Sequence, residues 1–532
     1  MTKRKANIIY LAFLAFFLLA GAYLVYRMNR IVGSVAIFDA ITPPMLPQIL
    51  NQTLFITALC AFGMALLLST GILPHKGSLI VTAPIIGAYA WCLLSVLILC
   101  AGIPFTKWSA IAACILSLGG CIAYKLTKNK SCPPKGDWRH YGMALVMYAA
   151  AAFFFSSLCI FRFSYDSYMY INGGEMLARL GKLTPELIPM ASSFSLFTQM
   201  LFAPAVFFGY DFSHGLYMML NTAFVLAVAY FVFSDLKGEW SMKKAWLLSA
   251  AAFVYIVTSN LFFEIMYWPL SNLVTAAQIF FVLYFANKHK MSEGNLVLSL
   301  FFAVCMVLTR SENGLIMVIT IFIISLADIK KARMLPYCGA VFAAILIWYL
   351  RFFLVAGTAF NEGEFLTIGR ALPIVAVYAA MLIYIAFIRD TKIITNHKKA
   401  LEYLFFAAFA LAAIGLMLLD TEKALYNLTS TAVNMYKEGG WGAALFIAGA
   451  LYLLRYVSGE PVGIWDRFTL AFLLFYLAIY MLRGTGLRIG YGDSGNRYFV
   501  HLIPVFAYLF ATSFTRFMKP LKGSSADDLS AG

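Results

Sequence analysis

Charge is what this sequence lacks. Asp, Glu, Lys and Arg make up 12% of its 532 residues, against 62% hydrophobic residues, which excludes a soluble globular chain. No polar stretch is long enough to form a soluble domain between the apolar runs. The six histidines stand at no metal-ligand spacing, so none is read as a ligand. Nine cysteines are present, several inside apolar runs (Cys60, Cys92, Cys114, Cys159 and Cys305) and none in a Cys-x-x-Cys pair, which leaves no disulfide framework and no zinc motif. The glycines of 484–495 fit neither phosphate-binding fingerprint, because both need a strand before and a helix after in an α/β unit.

What is present is a series of apolar runs of roughly 14 to 24 residues, near the roughly 20 a helix needs to cross about 30 Å of hydrocarbon. The pattern predicts an all-α polytopic membrane protein with about sixteen transmembrane helices. They fall near 8–26, 50–71, 79–101, 108–126, 142–161, 213–234, 246–264, 268–287, 296–309, 314–328, 336–356, 371–388, 401–419, 441–457, 467–482 and 499–517. The first run follows Lys3-Arg4-Lys5 as a signal peptide would, but it continues through Tyr23-Leu24-Val25-Tyr26 to Arg27; a retained span is expected.

Lys and Arg near helix ends are kept preferentially on the cytoplasmic side. Applied loop by loop, this places both termini inside and puts the +16 net charge almost wholly on the cytoplasmic face, beside anionic lipid headgroups. Membrane lipids account for the basic character, and no nucleic-acid partner is expected. A polar linker at 125–141 divides a four-span accessory module, 1–140, from a core, 141–520, followed by a disordered cytoplasmic tail, 521–532.

The core opens with an outer segment of about 50 residues, 162–211, long enough to carry function. Within it 192–208 is apolar but contains Gln199 and Pro204. Counting it as a span would reverse the charge bias downstream, so a re-entrant or surface-lying helix is expected. At its start, Ser164-Tyr165-Asp166-Ser167-Tyr168-Met169-Tyr170 sets a carboxylate at a lipid boundary. A second polar knot, Leu308-Thr309-Arg310-Ser311-Glu312-Asn313, joins two short apolar stretches; charges at such depth are expensive unless used. The last outer loop, 483–498, carries Arg488, Asp493 and Arg497. One carboxylate beside several guanidinium groups suits displacement of a phosphate leaving group. The carboxylate takes a proton from an attacking hydroxyl, and arginine forks stabilise charge on the departing oxygens.

These elements resemble the GT-C superfamily of membrane glycosyltransferases that use polyprenyl-phosphate sugars, in particular its protein-mannosyltransferase and aminoarabinose-transferase-like branch. The resemblance covers approximately 142–517. It rests on Arg162-Phe163-Ser164-Tyr165-Asp166-Ser167-Tyr168-Met169-Tyr170 with Gly173-Gly174 and Leu180-Gly181-Lys182, on Tyr267-Trp268-Pro269-Leu270, on Leu308-Thr309-Arg310-Ser311-Glu312-Asn313-Gly314, and on Asn496-Arg497-Tyr498-Phe499-Val500-His501-Leu502-Ile503-Pro504. It implies a GT-C-like core with an outer-face loop module and an inverting sugar transfer in which Asp166 is the catalytic base. Arg310, Arg497 and Arg488 would bind the donor, with Glu312 orienting an arginine and Tyr170 lining the sugar pocket. The implied partners are a polyprenyl-phosphate sugar donor and a glycan, lipid or protein acceptor, and a bacterial inner membrane is the expected location.

Many members carry Asp-Glu at the acidic motif, whereas Ser167 follows Asp166 here. The second carboxylate is then Glu175 or absent, so no cofactor is assigned and a divalent metal stays open. The four-span extension lies outside the usual core. Two other readings fit a polytopic chain with few polar sites: a secondary transporter or lipid flippase, which would gather charge at the bilayer midplane, and a polysaccharide polymerase or ligase with a diphosphate-linked donor. The sequons Asn51-Gln52-Thr53 and Asn427-Leu428-Thr429 match a glycosylation signal.

Overall fold

The computed structural model describes residues 45–73, 76–127, 138–157, 164–194, 196–210, 214–238, 240–290, 292–327, 329–357, 366–435, 441–457, 462–483, 485–490 and 493–517. The expected first span at 8–26, the centre of the linker and the tail at 521–532 lie outside them. The protein is an all-α polytopic membrane protein: among the described residues eight helices are long and apolar enough to cross a bilayer, or ten if each of two bent pairs is one span. Among the described residues there is no strand.

Four helices come first, α1 (Leu46–Thr70), α2 (Lys76–Cys100), α3 (Lys107–Thr127) and α4 (Trp138–Ser157). Next is the amphipathic α5 (Tyr165–Leu180), then three short pieces, α6 (Ile188–Phe194), α7 (Leu196–Gln199) and α8 (Pro204–Phe208). The chain continues through α9 (His214–Leu236), α10 (Met242–Thr258), α11 (Asn260–Met266), α12 (Ser271–Asn287), α13 (Glu293–Val307), α14 (Asn313–Ser325) and α15 (Lys331–Ala356). It closes with α16 (Ile368–Ile383), α17 (Lys398–Leu419), α18 (Thr421–Val433), α19 (Gly442–Val457), α20 (Ile464–Leu482), the single turn α21 (Ser494–Arg497) and α22 (Ile503–Phe517).

Helix α12 is the axis: every residue from Ser271 to Ala286 is buried. An apolar helix without a polar face must be wrapped on all sides, and here α13, α9, α20 and α22 do so. At the other extreme, α3 and α17 bury almost nothing inside the protein, so their apolar side chains face lipid. The first helices share one continuous core with the rest, which includes Phe55 and Trp91 together with Phe280 and Val505. Tyr89 donates to the carbonyl of Val274 (3.2 Å) and Trp91 Nε1 to that of Met200 (3.0 Å). Close approach of α1 and α2 depends on glycine. A Cβ at Gly63 would lie 2.0 Å from the Ala83 carbonyl oxygen, and one at Gly87 1.8 Å from that of Leu59. Small residues at helix crossings are how membrane helices gain dispersion contact where lipid tails supply no hydrophobic drive.

Two expected elements take a different course. The segment around 192–208 is neither a straight span nor a surface-lying helix: the chain turns through 102° between Pro185–Phe194 and Leu196–Phe208, and Leu196 through Ala203 are buried. The span expected at 246–264 bends by 74° between α10 and α11. The bend follows Thr258, at Ser259, whose extended backbone (ψ 114) ends one helix and begins the next.

Candidate functional site

The polar residues singled out in the sequence collect at one end of the bundle. Helix α5 begins there because Ser164 caps it: its hydroxyl accepts the N–H of Ser167 (3.2 Å). Asp166 is therefore not the cap. It stands in the first turn, where the helix dipole favours a negative charge, and its carboxylate is left for other partners. Arg497, at the end of α21, takes it: Nη2 donates to Asp166 Oδ2 at 2.5 Å. The arginine side chain is 3% exposed and the aspartate 33%. The guanidinium also lies over the Trp268 ring, 5.4 Å from its centre, a desolvated arrangement in which cation–π attraction is at its stronger end. Arg497 Nε is buried and meets no hydrogen-bond acceptor among the described residues.

Next to this pair is a second. Arg310 Nη2 is 2.5 Å from Glu312 Oε1, both largely buried. Tyr498 donates its hydroxyl to the same Glu312 oxygen at 2.7 Å, and Arg310 sits over the Tyr498 ring at 5.5 Å. Consecutive residues, Arg497 and Tyr498, thus tie the two pairs together. Tyr170, one turn along α5 from Asp166, hydrogen-bonds Ser271 Oγ at 2.7 Å at the start of the central helix and packs edge-on to Phe194. Burial pushes its phenol up, opposed by Arg310 and Ser271; Glu312 and Asp166 push the same way as burial. The tyrosine feels both pairs. His501 is enclosed between Phe472 and Tyr498, edge-on to each.

The site is supported from below by the bent segment. Gly174 of α5 rests on α7 so closely that a Cβ would lie 2.2 Å from the Gln199 carbonyl oxygen. Ser192 Oγ accepts the N–H of Leu366 (2.8 Å), which fastens α6 to the chain entering α16. Asn313 reaches back to Thr275 Oγ1 (3.1 Å) and the Met306 carbonyl (3.0 Å), holding the turn that presents Arg310 and Glu312.

Of the residues expected to act, Asp166, Tyr170, Arg310, Glu312 and Arg497 are brought together. Arg488 is not in their hydrogen bonds. Its guanidinium is 75% exposed and 3.7 Å from Asp493. Glu175 lies nine residues beyond Asp166 on one helix, about 13 Å along the axis and half a turn round, where it faces Arg179 at 3.8 Å. Among the described residues no three His, Cys, Asp or Glu side chains cluster as metal ligands would. Trp268, Ser271 and Tyr498 belong to the site although the sequence assigned them no role; Trp268 and Tyr498 stand in motifs that carry the resemblance, and Ser271 directly follows one of them. The sequon at Asn427 serves a structural purpose: the side chain is buried, and Oδ1 accepts the N–H of Leu487 at 2.7 Å. Asn51 is exposed on α1.

Comparison with protein-family models, curated proteins and solved structures finds no match to this chain. Functional interpretation therefore depends on the chemistry of this cluster.

Proposed function

We propose that the protein is a membrane glycosyltransferase that moves a sugar from a polyprenyl-phosphate carrier to an acceptor hydroxyl or amine at the outer face, with inversion. One observation carries the reading: a deeply buried arginine, Arg497, spends one nitrogen on a part-exposed carboxylate and keeps another donor without an acceptor among the described residues. A buried unsatisfied guanidinium N–H costs free energy, and a phosphate oxygen would satisfy it. In the proposed reaction the acceptor O–H gives its proton to Asp166 while its oxygen forms a bond to the anomeric carbon. The bond from that carbon to the phosphate oxygen breaks, and the leaving polyprenyl phosphate takes the electron pair. Arg497 and Arg310 meet the charge that develops there. Glu312 and Tyr498 hold Arg310 in place, and Tyr170 lines the sugar side. Arg497 exchanges Asp166 for the donor phosphate as the donor enters, which frees the carboxylate to accept a proton.

With this reading come a GT-C-like core over about 142–517, some sixteen spans, both termini in the cytoplasm and a bacterial inner membrane. The test is transfer of label from radiolabelled polyprenyl-phosphate sugars by purified protein in detergent, wild type against Asp166→Asn. Transfer by the wild type alone is expected. Absence of transfer with any donor, alongside solute or lipid movement in vesicles, would replace the enzyme by a transporter; transfer only from a diphosphate-linked donor would make it a polymerase or ligase.

A further inference from the structure

The end of α14 opposite the ion pairs borders a second polar site. Helix α14 starts at the knot that carries Arg310 and Glu312 and ends 13 residues later at Ser325, about 20 Å away along its axis. A cavity of about 300 Å³ opens there, lined by Lys330, Lys331 and Lys398 together with Arg389 and Asp390. The charge bias assigns this face to the cytoplasm.

Arg389 reaches the cavity through a break in helical register. Beyond α16 the chain makes a π turn, Tyr384–Ile388, and the N–H of Arg389 donates to the Tyr384 carbonyl, five residues back, at 2.8 Å. Such a turn inserts one residue into a helix and is frequent at functional sites. The result is an arginine only 8% exposed between the exposed Ile388 and Asp390. Its guanidinium closes the end of α14: Nε donates to the Ser325 carbonyl at 2.9 Å, and Nη2 to those of Ala327 at 3.0 Å and Ile329 at 2.6 Å. A cation suits the negative end of a helix dipole. These bonds use three of the five guanidinium N–H groups. Both on Nη1 remain, buried and without an acceptor among the described residues. Leaving them so costs free energy, and an anion in the cavity that Arg389 lines would satisfy them.

The surrounding charge points the same way. Lys330 and Lys331 stand at the start of α15 and Lys398 at the start of α17, so cations converge from three elements. Both helices begin at the cavity, where their dipoles favour negative charge. Asp390 is the single carboxylate among the lining residues, and it stands 3.8 Å from Nε of Arg389. Asp328, in the same connection, lies outside the described residues. Phe387 and Ile393, close in sequence to the lining residues, are apolar and exposed, which sets the cavity at a lipid boundary.

We propose that this cavity binds a phosphate group, held by Nη1 of Arg389 and by Lys330, Lys331 and Lys398. Cations from three directions suit a phosphate, with oxygens on several sides, better than a flat carboxylate with two. Its two sources are free phosphate and the headgroup of an anionic lipid of the cytoplasmic leaflet; the apolar rim favours the lipid. The site uses no residue of the ion-pair cluster and does not depend on the glycosyltransferase reading.

The test is calorimetric titration of the purified full chain in neutral detergent with inorganic phosphate and, separately, with dioctanoyl phosphatidylglycerol. Saturable binding of the lipid is expected, weakening as salt rises. Lys331→Gln/Lys398→Gln removes two cations and none of the carbonyl contacts at α14. It should weaken binding about tenfold, the scale of one charge-assisted contact. Arg389→Lys keeps the charge without Nη1 and should weaken binding further; because Arg389 also holds α14, the lysine pair decides. Lys243→Gln/Lys244→Gln removes the same charge from the start of α10 and should bind as wild type does. Lipid binding displaced by inorganic phosphate, or binding of inorganic phosphate alone, supports the site with the free anion as a ligand; lipid binding that phosphate does not displace supports it with the headgroup as the ligand. The proposal is overturned if the wild type binds neither, if the Lys331/Lys398 variant binds like wild type, if the Lys243/Lys244 variant weakens equally, or if uncharged dioctanoylglycerol binds as tightly as the phosphatidylglycerol.

Discussion

Two carboxylates of the polar end are both held by arginine, yet they are built for different work. Asp493 is clasped within its own loop: Arg483 Nη1 at 2.7 Å, the N–H of Arg488 at 2.9 Å and the N–H of Gly495 at 2.6 Å leave its side chain with no exposed surface. Burial raises its pKa, but Arg483 and these N–H donors outweigh burial and hold it below the ordinary carboxylate range. Among the described residues Asp166 has one hydrogen-bond partner beyond its own helix, Arg497, 331 residues away in sequence, on one oxygen. A saturated carboxylate fixes a loop. One with an open oxygen, a part-exposed surface and an arginine that has a donor to spare can exchange partners, and that is the property an acid–base group needs.

The comparison can be broken at its strongest point first. Asp166→Asn should reduce sugar transfer by about 10²–10⁴, the usual contribution of general-base catalysis, and, because it removes the charge opposite the buried Arg497, should also cost about 1–3 kcal/mol of stability; Asp493→Asn should cost stability and leave turnover nearly unchanged. For Asp493→Asn the expected cost is about 2 kcal/mol of stability, below the 3–5 kcal/mol of a fully buried pair because Arg483 is itself part-exposed, read by chemical denaturation in detergent. Arg497→Lys keeps the charge and loses the fork, so turnover should drop about 10²-fold; wild-type rates would place Arg497 in the structure only. Tyr498→Phe removes the hydroxyl on Glu312 and should cost about tenfold in turnover, equivalent to one lost buried hydrogen bond of roughly 1–3 kcal/mol. Arg488→Ala, at a mostly exposed side chain, should change stability by less than about 0.5 kcal/mol and activity by less than about twofold; a large loss would return it to the donor site.

Acid tests the Asp493 clasp directly. A group with a depressed folded pKa stabilises the fold above its unfolded value, near 3.9 for Asp, and that stability is lost as pH falls through the lower folded value. The Asp493 loop should therefore hold at pH 5 and loosen as pH falls below about 4, measured by proteolysis of 483–498; Asp493→Asn should remove that pH dependence.

Much of this arrangement was legible in the sequence. The end of α5 at Leu180 could be read, because Gly181 accepts φ +68 without a Cβ penalty; its start could not, because Asp166 is as good a capping residue as Ser164, and the structure gives the cap to Ser164. The polar knot at 308–313 announced itself as charge between two apolar stretches. Arg488 and Arg497 could not be separated that way: both are arginines in one glycine-rich loop, and only the path of the chain sends one over Trp268 and the other outward. Glu175 likewise became irrelevant to Asp166 once helix geometry set them half a turn apart.

By itself the sequence determined that the chain is helical and spans a membrane, because a backbone without water partners must satisfy its own N–H and C=O groups and apolar runs of this length do so as helices. It also determined where polar residues interrupt those runs. Tertiary structure alone decided which interruptions meet. Asp166 and Arg497, Glu312 and Tyr498, Phe105 and Gly181 are joined across tens to hundreds of residues. Such contacts follow from how the helices pack, with the fully buried α12 at the centre, and local composition carries no record of them.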